Sequence, residues 1–203
     1  MITIVDYGMG NLGSIQNMFK RIGAATCVTA DPARLAEAGK ILLPGVGSFD
    51  TAMERIDGSG LREVLDRKAL VERIPILGIC LGMQLLTRGS EEGTRKGLGW
   101  IAASTRRFPA GEGLKVPHMG WNVVQAMEPD ELTRDLPPDA RFYFVHSYCV
   151  MADDPCDSLL RTTYGITFDS AVRRGNVRGA QFHPEKSHKF GMRLLANFAR
   201  LEC

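Results

Sequence analysis

Most of the structural information in this sequence lies in nine consecutive residues, Ile76-Leu77-Gly78-Ile79-Cys80-Leu81-Gly82-Met83-Gln84. The apolar start predicts a buried strand of a parallel sheet, and Met83, Leu85 and Leu86 predict a helix after it. Cys80 therefore stands between two glycines at a sharp strand-to-helix turn. This is the nucleophile-elbow arrangement, with sulfur in place of oxygen. Alternatively, Cys80 is a small buried residue, as free cysteines usually are.

If Cys80 is a nucleophile, the same turn supplies two further groups. The N-terminus of the helix carries partial positive charge, which favours the thiolate. The amide of Leu81, the residue after the nucleophile, can donate to a developing oxyanion.

The residues before this segment predict further βαβ units. Short apolar strands are expected at Ile2–Val5, Ala25–Val28 and Ile41–Leu43. Helical spacing of apolar residues lies between the strands, as at Ile15, Met18, Phe19 and Ile22. This alternation predicts a parallel sheet covered by helices on both faces.

From about Gly99 the pattern changes to short strands separated by turns, followed by one final helix. The expected strands are Gly99–Ala102, Thr105–Phe108, Asn122–Gln125, Phe142–Val145, Leu159–Thr163, Phe168–Arg173 and Val177–Phe182. We therefore expect one α/β domain over residues 1–203. Its central, mostly parallel sheet is flanked by helices, and its second half adds an antiparallel sheet.

Composition excludes several classes of protein. The 203 residues are 44% hydrophobic and 24% charged, with a net charge of +2, so the chain has no basic footprint for nucleic acid. Its apolar runs are too short to span a bilayer, and Met1 leads directly into a strand rather than a secretory signal. The five cysteines contain no C-x-x-C pair and predict neither a zinc site nor a disulfide framework. We expect a reducing, cytoplasmic setting.

A cysteine nucleophile needs a base and a group that orients the base. His183, Pro184 and Glu185 directly follow a predicted strand. Glu185 can accept from one imidazole nitrogen, which leaves the other nitrogen free to face the sulfur. The glycine-rich loop Pro44-Gly45-Val46-Gly47 follows another strand and can expose backbone N–H groups to an oxyanion. Alternatively, His183 and Glu185 end a strand without catalytic function, and the loop is a plain turn.

In this order, P-G-V-G, G-I-C-L-G-M-Q and Q-F-H-P-E-K-S resemble the motifs of class I, triad-type glutamine amidotransferases. Three further segments resemble the glutaminase subunits of imidazole glycerol phosphate synthase. They are D-Y-G-M-G-N-L at residues 6–12, V-P-H-M-G-W-N at 116–122 and Y-F-V-H-S-Y at 143–148. The resemblance runs from Met1 to about Leu201.

The resemblance implies a role for each matching position. Cys80, His183 and Glu185 form a catalytic triad that hydrolyses glutamine to glutamate and ammonia. Oxyanion and glutamine contacts come from six residues, namely Val46, Gly47, Leu81, Gln84, Ser147 and Tyr148. No metal and no organic cofactor are implied, and His118 and His146 are expected to be structural.

The resemblance also implies a partner, because ammonia released into water is protonated and lost. The expected partner is a (β/α)₈-barrel cyclase subunit, which forms a heterodimer with this chain and receives ammonia through a channel. The complex makes imidazole glycerol phosphate and aminoimidazole carboxamide ribonucleotide in histidine biosynthesis. The candidate interface residues are Asn11, Trp121, Asn122 and Lys186.

Three other functions stay open at this stage. In the first, the same glutaminase chemistry supplies a sugar amidotransferase that makes acetamidino sugars for surface polysaccharide. Residues 186–192, together with 90–93 and 97–100, resemble that branch. In the second, the scaffold is a binding or regulatory protein with an inactive triad. In the third, the chain is a triad peptidase on a related fold. An intact triad disfavours the binding protein, and the P-H-M-G-W-N segment has no purpose in a peptidase.

Overall fold

The computed structural model describes residues 1–109 and 114–202, so Cys203 lies outside the described residues. Twelve strands are described: β1 Ile2–Val5, β2 Thr26–Thr29, β3 Ile41–Leu43, β4 Ile76–Ile79, β5 Ala103–Arg107, β6 His118–Val123, β7 Gln125–Ala126, β8 Arg141–His146, β9 Tyr148–Ala152, β10 Ser158–Tyr164, β11 Ile166–Arg174 and β12 Val177–Ala180. Six α-helices are described: α1 Leu12–Ile22, α2 Pro32–Ala36, α3 Phe49–Gly58, α4 Leu61–Asp66, α5 Leu81–Leu85 and α6 His188–Arg200. A π-helical turn at Arg67–Val71 continues α4, and 3₁₀ turns lie at Pro155–Asp157 and Pro184–Lys186.

The parallel part of the main sheet has the strand order β2-β1-β3-β4-β12. Strand β4 lies between β3 and β12, with Gly78 opposite both Leu43 and Gly179. The carboxyl ends of β3, β4 and β12 therefore meet at one edge of the sheet. Edges of this kind are where open α/β sheets bind their ligands.

The second half of the chain adds antiparallel strands, which confirms the predicted fold class. Strands β11, β10 and β7 continue the main sheet beyond β12, and β9 pairs with both β11 and β5. Strands β6 and β8 form a separate two-stranded sheet in which Trp121 lies opposite Tyr143. Apart from β6 and β8, the added strands thus extend the parallel sheet.

Two apolar cores cover the two faces of the sheet. One packs α1 and α6 through Phe19 and Phe198, and the other packs α3 and α4 through Phe49 and Leu65. Adjacent residues of β1 alternate between them, with Ile4 in the first core and Val5 in the second. This explains why the parallel strands are apolar throughout.

Four details of the predicted secondary structure are wrong. The expected strand Asn122–Gln125 is divided, because β6 begins at His118 and ends at Val123, and β7 begins only at Gln125. Residues Gly99–Ala102 do not form a strand, because Gly99 has a φ of +70° and the Trp100 indole turns inward to donate to Asp66 Oδ1 at 2.7 Å. Helix α3 was not predicted, although its buried residues Phe49, Ala52, Met53 and Ile56 have helical spacing. Strand β9 was also missed, because only Ser147 separates it from β8.

Candidate active site

Three segments converge at the carboxyl edge of the parallel strands. Loop Pro44-Gly45-Val46-Gly47 follows β3, Cys80 follows β4, and His183 comes three residues after β12. The amide of Cys80 donates to the Ala180 carbonyl at 2.7 Å, which ties the end of β4 to the end of β12. The register of the sheet therefore brings together segments that are distant in sequence.

The turn at Cys80 is tight and strained. Cys80 has φ 54° and ψ −111°, a conformation that residues with a Cβ rarely adopt. A Cβ on Gly78 would lie 2.6 Å from the Gly82 carbonyl oxygen, and one on Gly82 would collide with the Leu43 carbonyl. Only glycine fits at both flanking positions. Helix α5 is only five residues long. The positive electrostatic potential that its N-terminus produces at the sulfur therefore comes from little more than one helical turn.

The Cys80 sulfur lies beside two polar groups. Gln181 Nε2 donates toward Sγ at 3.8 Å, and Sγ lies 4.0 Å from the Val145 carbonyl oxygen. Gln181 is fully buried and was not predicted as a site residue. The register that pairs Ala180 with Ile79 places it there, and the local sequence gives no sign of that pairing.

His183 and Glu185 form a buried pair next to the sulfur. His183 Nδ1 is 2.7 Å from Glu185 Oε1, and both side chains are almost fully buried. Nε2 of His183 is buried and has no well-formed hydrogen bond with the described residues. Burial by itself lowers the pKa of His183, but interactions with Cys80 and then Glu185 outweigh it and raise this pKa to about 10. The imidazole is therefore protonated at neutral pH.

Backbone contacts fix the position of His183. Its amide donates to the Tyr143 carbonyl at 2.9 Å, and its carbonyl accepts from Ser187 Oγ at 2.6 Å. Ser187 Oγ in turn accepts from the Tyr143 amide at 3.0 Å. Strand β8 of the small sheet thus holds the imidazole in place.

The glycine-rich loop after β3 is held by a hydrogen bond from Tyr7. The Tyr7 hydroxyl donates to the Pro44 carbonyl, and burial raises the pKa of this phenol far above its ordinary range. A Cβ on Gly45 would lie 2.6 Å from the same hydroxyl. Gly47 has a φ of +111°, which favours glycine. The loop therefore depends on its glycines for both packing and conformation.

One cavity of about 350 Å³ joins these parts. Its walls include Cys80, His183 and all six residues predicted to bind the oxyanion or glutamine: Val46, Gly47, Leu81, Gln84, Ser147 and Tyr148. Glu185 is not part of the wall and contacts the site through His183. The size of the cavity is typical of small-molecule sites.

The sequence analysis missed four other residues of the cavity wall, which are Glu92, Pro117, Val145 and His146. Glu92 is half-buried and accepts from the Phe49 amide through Oε2 at 2.9 Å, so it caps α3 and faces the cavity. Its position in an acidic loop gave no signal of either role.

His118 packs against His146, which is part of the cavity wall. Both rings are buried, and their nitrogens Nδ1 and Nε2 are 2.9 Å apart. Burial lowers the pKa of His118 to about 4 and that of His146 to about 3. Both imidazoles are therefore neutral at physiological pH.

The predicted interface residues lie on or beside the small sheet and the loop after β3. Trp121 is 42% exposed and stacks on His188, with ring centroids 5.5 Å apart. Lys186 lies 5.8 Å from the centre of the Tyr143 ring. Asn11 is exposed and caps α1, and its neighbour Gly10 packs near Pro44.

Asn122 differs from the other three, because its carboxamide contacts the interior. Nδ2 lies 3.2 Å from His118 Nε2 and donates to the Thr163 carbonyl at 3.1 Å. The side chain is thus held by the protein itself, at the edge where Trp121 is exposed.

None of the remaining described cysteines lines the cavity. Cys149 is buried in β9, where burial and then the charges of Asp169 and Glu91 raise its thiol pKa to about 12. Cys27 and Cys156 are free thiols. In residues 1–109 and 114–202, no cluster of His, Cys, Asp and Glu is arranged to hold a metal. None of the helices described is long and apolar enough to cross a membrane.

Comparison with known proteins finds relatives that match nearly the whole chain in sequence. A protein of Methanococcus maripaludis named imidazole glycerol phosphate synthase subunit HisH 2 is 51% identical over 200 residues, which cover 98% of this chain and 99% of that protein. The HisH subunit of Bdellovibrio bacteriovorus is 48% identical over 204 residues, covering 99% and 100%. HisH 2 of Pseudomonas aeruginosa is 47% identical over 201 residues, covering 99% and 100%.

Solved structures share the fold at lower sequence identity. A crystal structure of a glutamine amidotransferase has a TM-score of 0.73 at 17% identity, covering 99% of this chain and 100% of the other. The family model described as glutamine amidotransferase class-I matches residues 3–201. With this match over nearly the whole chain, the protein belongs to the class I glutamine amidotransferase family.

Proposed function

We propose that this chain is the glutaminase subunit of an imidazole glycerol phosphate synthase, with residues 1–203 acting as one amidotransferase domain. The observation that carries the proposal is the 350 Å³ cavity, in which a strained cysteine, a buried imidazole and a glycine-rich loop meet. An amide is a poor electrophile with a poor leaving group. Its hydrolysis requires a nucleophile, oxyanion donors and an acid together.

The first step forms a thioester on Cys80. The thiolate attacks the side-chain amide carbon of glutamine, and the oxyanion accepts from the Leu81 amide and from the Val46–Gly47 region. Protonated His183 then gives its proton to the departing nitrogen, and ammonia leaves. The raised pKa of His183 supports this order, because the imidazole already carries the proton that ammonia needs.

The second step releases glutamate. His183, now neutral, takes a proton from water, and the resulting hydroxide attacks the thioester carbon. The carbon–sulfur bond breaks, the thiolate is restored beside the imidazolium, and glutamate loses its own acidic proton to solvent. Glu185 accepts from His183 Nδ1 throughout, which keeps Nε2 directed to the reacting atoms.

The remaining cavity residues suit the amino-acid end of glutamine. Nε2 of Gln84 already donates to the Tyr148 carbonyl and to Gln181, so its Oε1 is left for a ligand. We assign Oε1 and the carboxylate of Glu92 to the α-ammonium group. The hydroxyl of Ser147 and the amides near Gly47 and Tyr148 are assigned to the α-carboxylate.

The partner in this proposal is a (β/α)₈-barrel cyclase subunit docked over the cavity as a heterodimer. The surface on and beside the small sheet contains exposed Trp121 and three cations, Lys186, Arg141 and Lys189. None of these cations forms an ion pair with a described residue. Exposed tryptophan and unpaired positive charge are typical of a surface that meets a complementary, acidic partner. We place the complex in the cytoplasm, where free thiols stay reduced.

The relatives described above are all named as subunits of imidazole glycerol phosphate synthase, which favours this partner over a sugar amidotransferase. Affinity capture from the native cell with Cys80→Ala as bait distinguishes the two. Recovery of a barrel cyclase supports the histidine pathway, and recovery of a sugar amidotransferase would overturn it.

The chemistry is tested by Cys80→Ala in complex with the captured synthase. Glutamine-dependent synthesis should be abolished, while synthesis with added ammonium salt should continue at the wild-type rate. The matched control is Cys156→Ala, an exposed cysteine outside the site, which should leave both activities unchanged. Full glutamine-dependent turnover by Cys80→Ala would refute the proposal.

A further inference from the structure

A continuous line of hydrogen bonds runs from the outer edge of the small sheet to the cavity. Nδ1 of His146 lies 2.7 Å from the Tyr148 carbonyl oxygen. A carbonyl can only accept, so His146 Nδ1 must carry the hydrogen. In the neutral ring Nε2 is then an acceptor.

The same reasoning determines the tautomer of the His118 ring. His118 Nδ1 lies 2.9 Å from His146 Nε2 and must donate to it, which makes His118 Nε2 an acceptor. Nδ2 of Asn122 lies 3.2 Å from that nitrogen and supplies the hydrogen. Every donor in the series therefore has an acceptor, and each imidazole has one permitted tautomer.

The inner end of this series reaches the proposed glutamine site. The Tyr148 carbonyl also accepts from Gln84 Nε2 at 3.2 Å, and Gln84 Nε2 contacts Gln181 Oε1 at 3.2 Å. Gln181 Nε2 then donates toward the Cys80 sulfur. Both His146 and Gln84 are part of the cavity wall.

We propose that His118 and His146 are positioning residues: with Asn122 they form a relay of fixed tautomers that holds the Tyr148 carbonyl and Gln84 in place for glutamine. The inference rests on the proposed function, because it names how the same site is kept in its binding geometry. The pair never touches the reacting atoms in this account. Its effect is on glutamine affinity, transmitted through Tyr148 and Gln84.

Packing offers a competing explanation, and two substitutions separate it from the relay. The His118 ring stacks on Tyr164 at 4.1 Å and on Phe144 at 4.7 Å. His118→Phe preserves a stacking ring but removes both hydrogen bonds. His118→Asn loses the ring but keeps a donor where Nδ1 stands. The relay predicts that His118→Phe binds glutamine more weakly than His118→Asn does. Packing predicts the reverse.

The test measures L-glutamine binding by calorimetry in a Cys80→Ala background, where glutamine is not consumed. We expect His118→Phe to weaken binding about 5- to 50-fold, since it leaves His146 Nε2 buried without a donor. His118→Asn should stay within about 3-fold of the background, and Asn122→Leu should weaken binding about 2- to 5-fold. The control Tyr164→Phe removes a hydrogen bond to the Lys115 carbonyl beside the same ring and should change nothing.

Each outcome has a distinct meaning. If His118→Phe binds glutamine as well as the background does, the relay is wrong and the proposed function stands. If His118→Asn is the damaged variant, packing replaces the relay. If the Cys80→Ala background itself fails to bind glutamine, the proposed function fails and the relay falls with it.

A second measurement needs neither a variant nor glutamine. Long-range proton–nitrogen NMR of the wild-type chain should show both His118 and His146 with the hydrogen on Nδ1. Hydrogen on Nε2 of either ring would overturn the relay, even if the His118 variants fail to fold.

Discussion

The two ends of the candidate active site are built in different ways. At the carboxyl edge of the parallel strands, backbone packs on backbone: Gly78 and Gly82 have no room for a single extra carbon, and Cys80 is held in a strained conformation. At the edge of the small sheet, the outward residues Met119, Trp121 and Val123 are large, apolar and exposed. The geometry of the proposed reaction thus depends on main-chain packing, whereas the proposed partner face consists of exposed side chains.

The largest effect is expected from adding a single methyl group at Gly82, in the tightly packed turn that follows β4. Gly82→Ala places a carbon against the Leu43 carbonyl, which cannot move without displacing β3. We expect the variant to lose cooperative unfolding or to unfold at much lower urea concentration, and to lose glutaminase activity.

The matched control for that methyl group is Gly13→Ala in helix α1, where an added carbon meets nothing within 4 Å. This variant should be stabilised by about 0.5–1 kcal/mol, because alanine loses less backbone entropy on folding. Equal urea midpoints for the two variants would contradict the close packing at Cys80.

The proposed catalytic pair, His183 and Glu185, should show the next largest effect. His183→Ala removes the proton donor and is expected to lower glutaminase kcat about 100- to 10,000-fold. Glu185→Gln keeps an oxygen beside His183 Nδ1 and should lower kcat less than His183→Ala does. Because the residues act as a unit, Cys80→Ala with His183→Ala should be hardly slower than either single variant. Multiplying losses in the double variant would show that the two residues act independently.

The exposed end should affect association without changing the chemistry. Trp121→Ala should weaken binding of the synthase subunit by about 2 kcal/mol or more if the indole is a central anchor. Basal glutaminase activity of the isolated chain should be unchanged. Val71 is 76% exposed near the opposite end of β4, so Val71→Ala is the matched control and should bind normally. Loss of basal activity in Trp121→Ala would show that the exposed edge also affects the chemistry, which contradicts the distinction between the two regions.

The smallest expected effect is the difference between wild type and Glu185→Gln in how stability depends on pH. The folded pKa of His183, about 10, lies above the unfolded value of about 6.5. Its interactions therefore stabilise the fold fully below pH 6.5, and this contribution is lost as the pH rises through about 10. In Glu185→Gln one of the causes of the raised pKa is gone, so less stability should be lost between pH 7 and 10.

Urea midpoints at pH 7, 8.5 and 10 measure this difference between wild type and Glu185→Gln. The exposed histidine variant His188→Gln serves as control and should follow the wild type. Identical pH profiles for all three chains would contradict the buried ion pair.

The sequence predicted the parts of the molecule that depend on local pattern. Strand β4 and the turn at Cys80 both follow from the order of residue types, and the structure has them where expected. Gln181 and His146 could not be assigned this way. Their positions depend on which strands pair and in what register, as in the alignment of Ala180 with Ile79.

The missed and wrong elements have a similar physical origin. Strand β9 follows β8 after one residue but pairs with different neighbours, β11 and β5, so no turn signal marks the boundary. Residues Gly99–Ala102 are apolar because Trp100 and Ile101 are buried in the core beside α3 and α4, not because they extend as a strand.

The central claim is that the Cys80 sulfur opens the side-chain amide of glutamine. The most direct measurement is mass spectrometry of the chain after acid quenching during turnover with L-glutamine. The account predicts a γ-glutamyl thioester on the peptide that contains Cys80, and no adduct in Cys80→Ala. Glutamine turnover with an unmodified Cys80, or with the adduct on another cysteine, would contradict it.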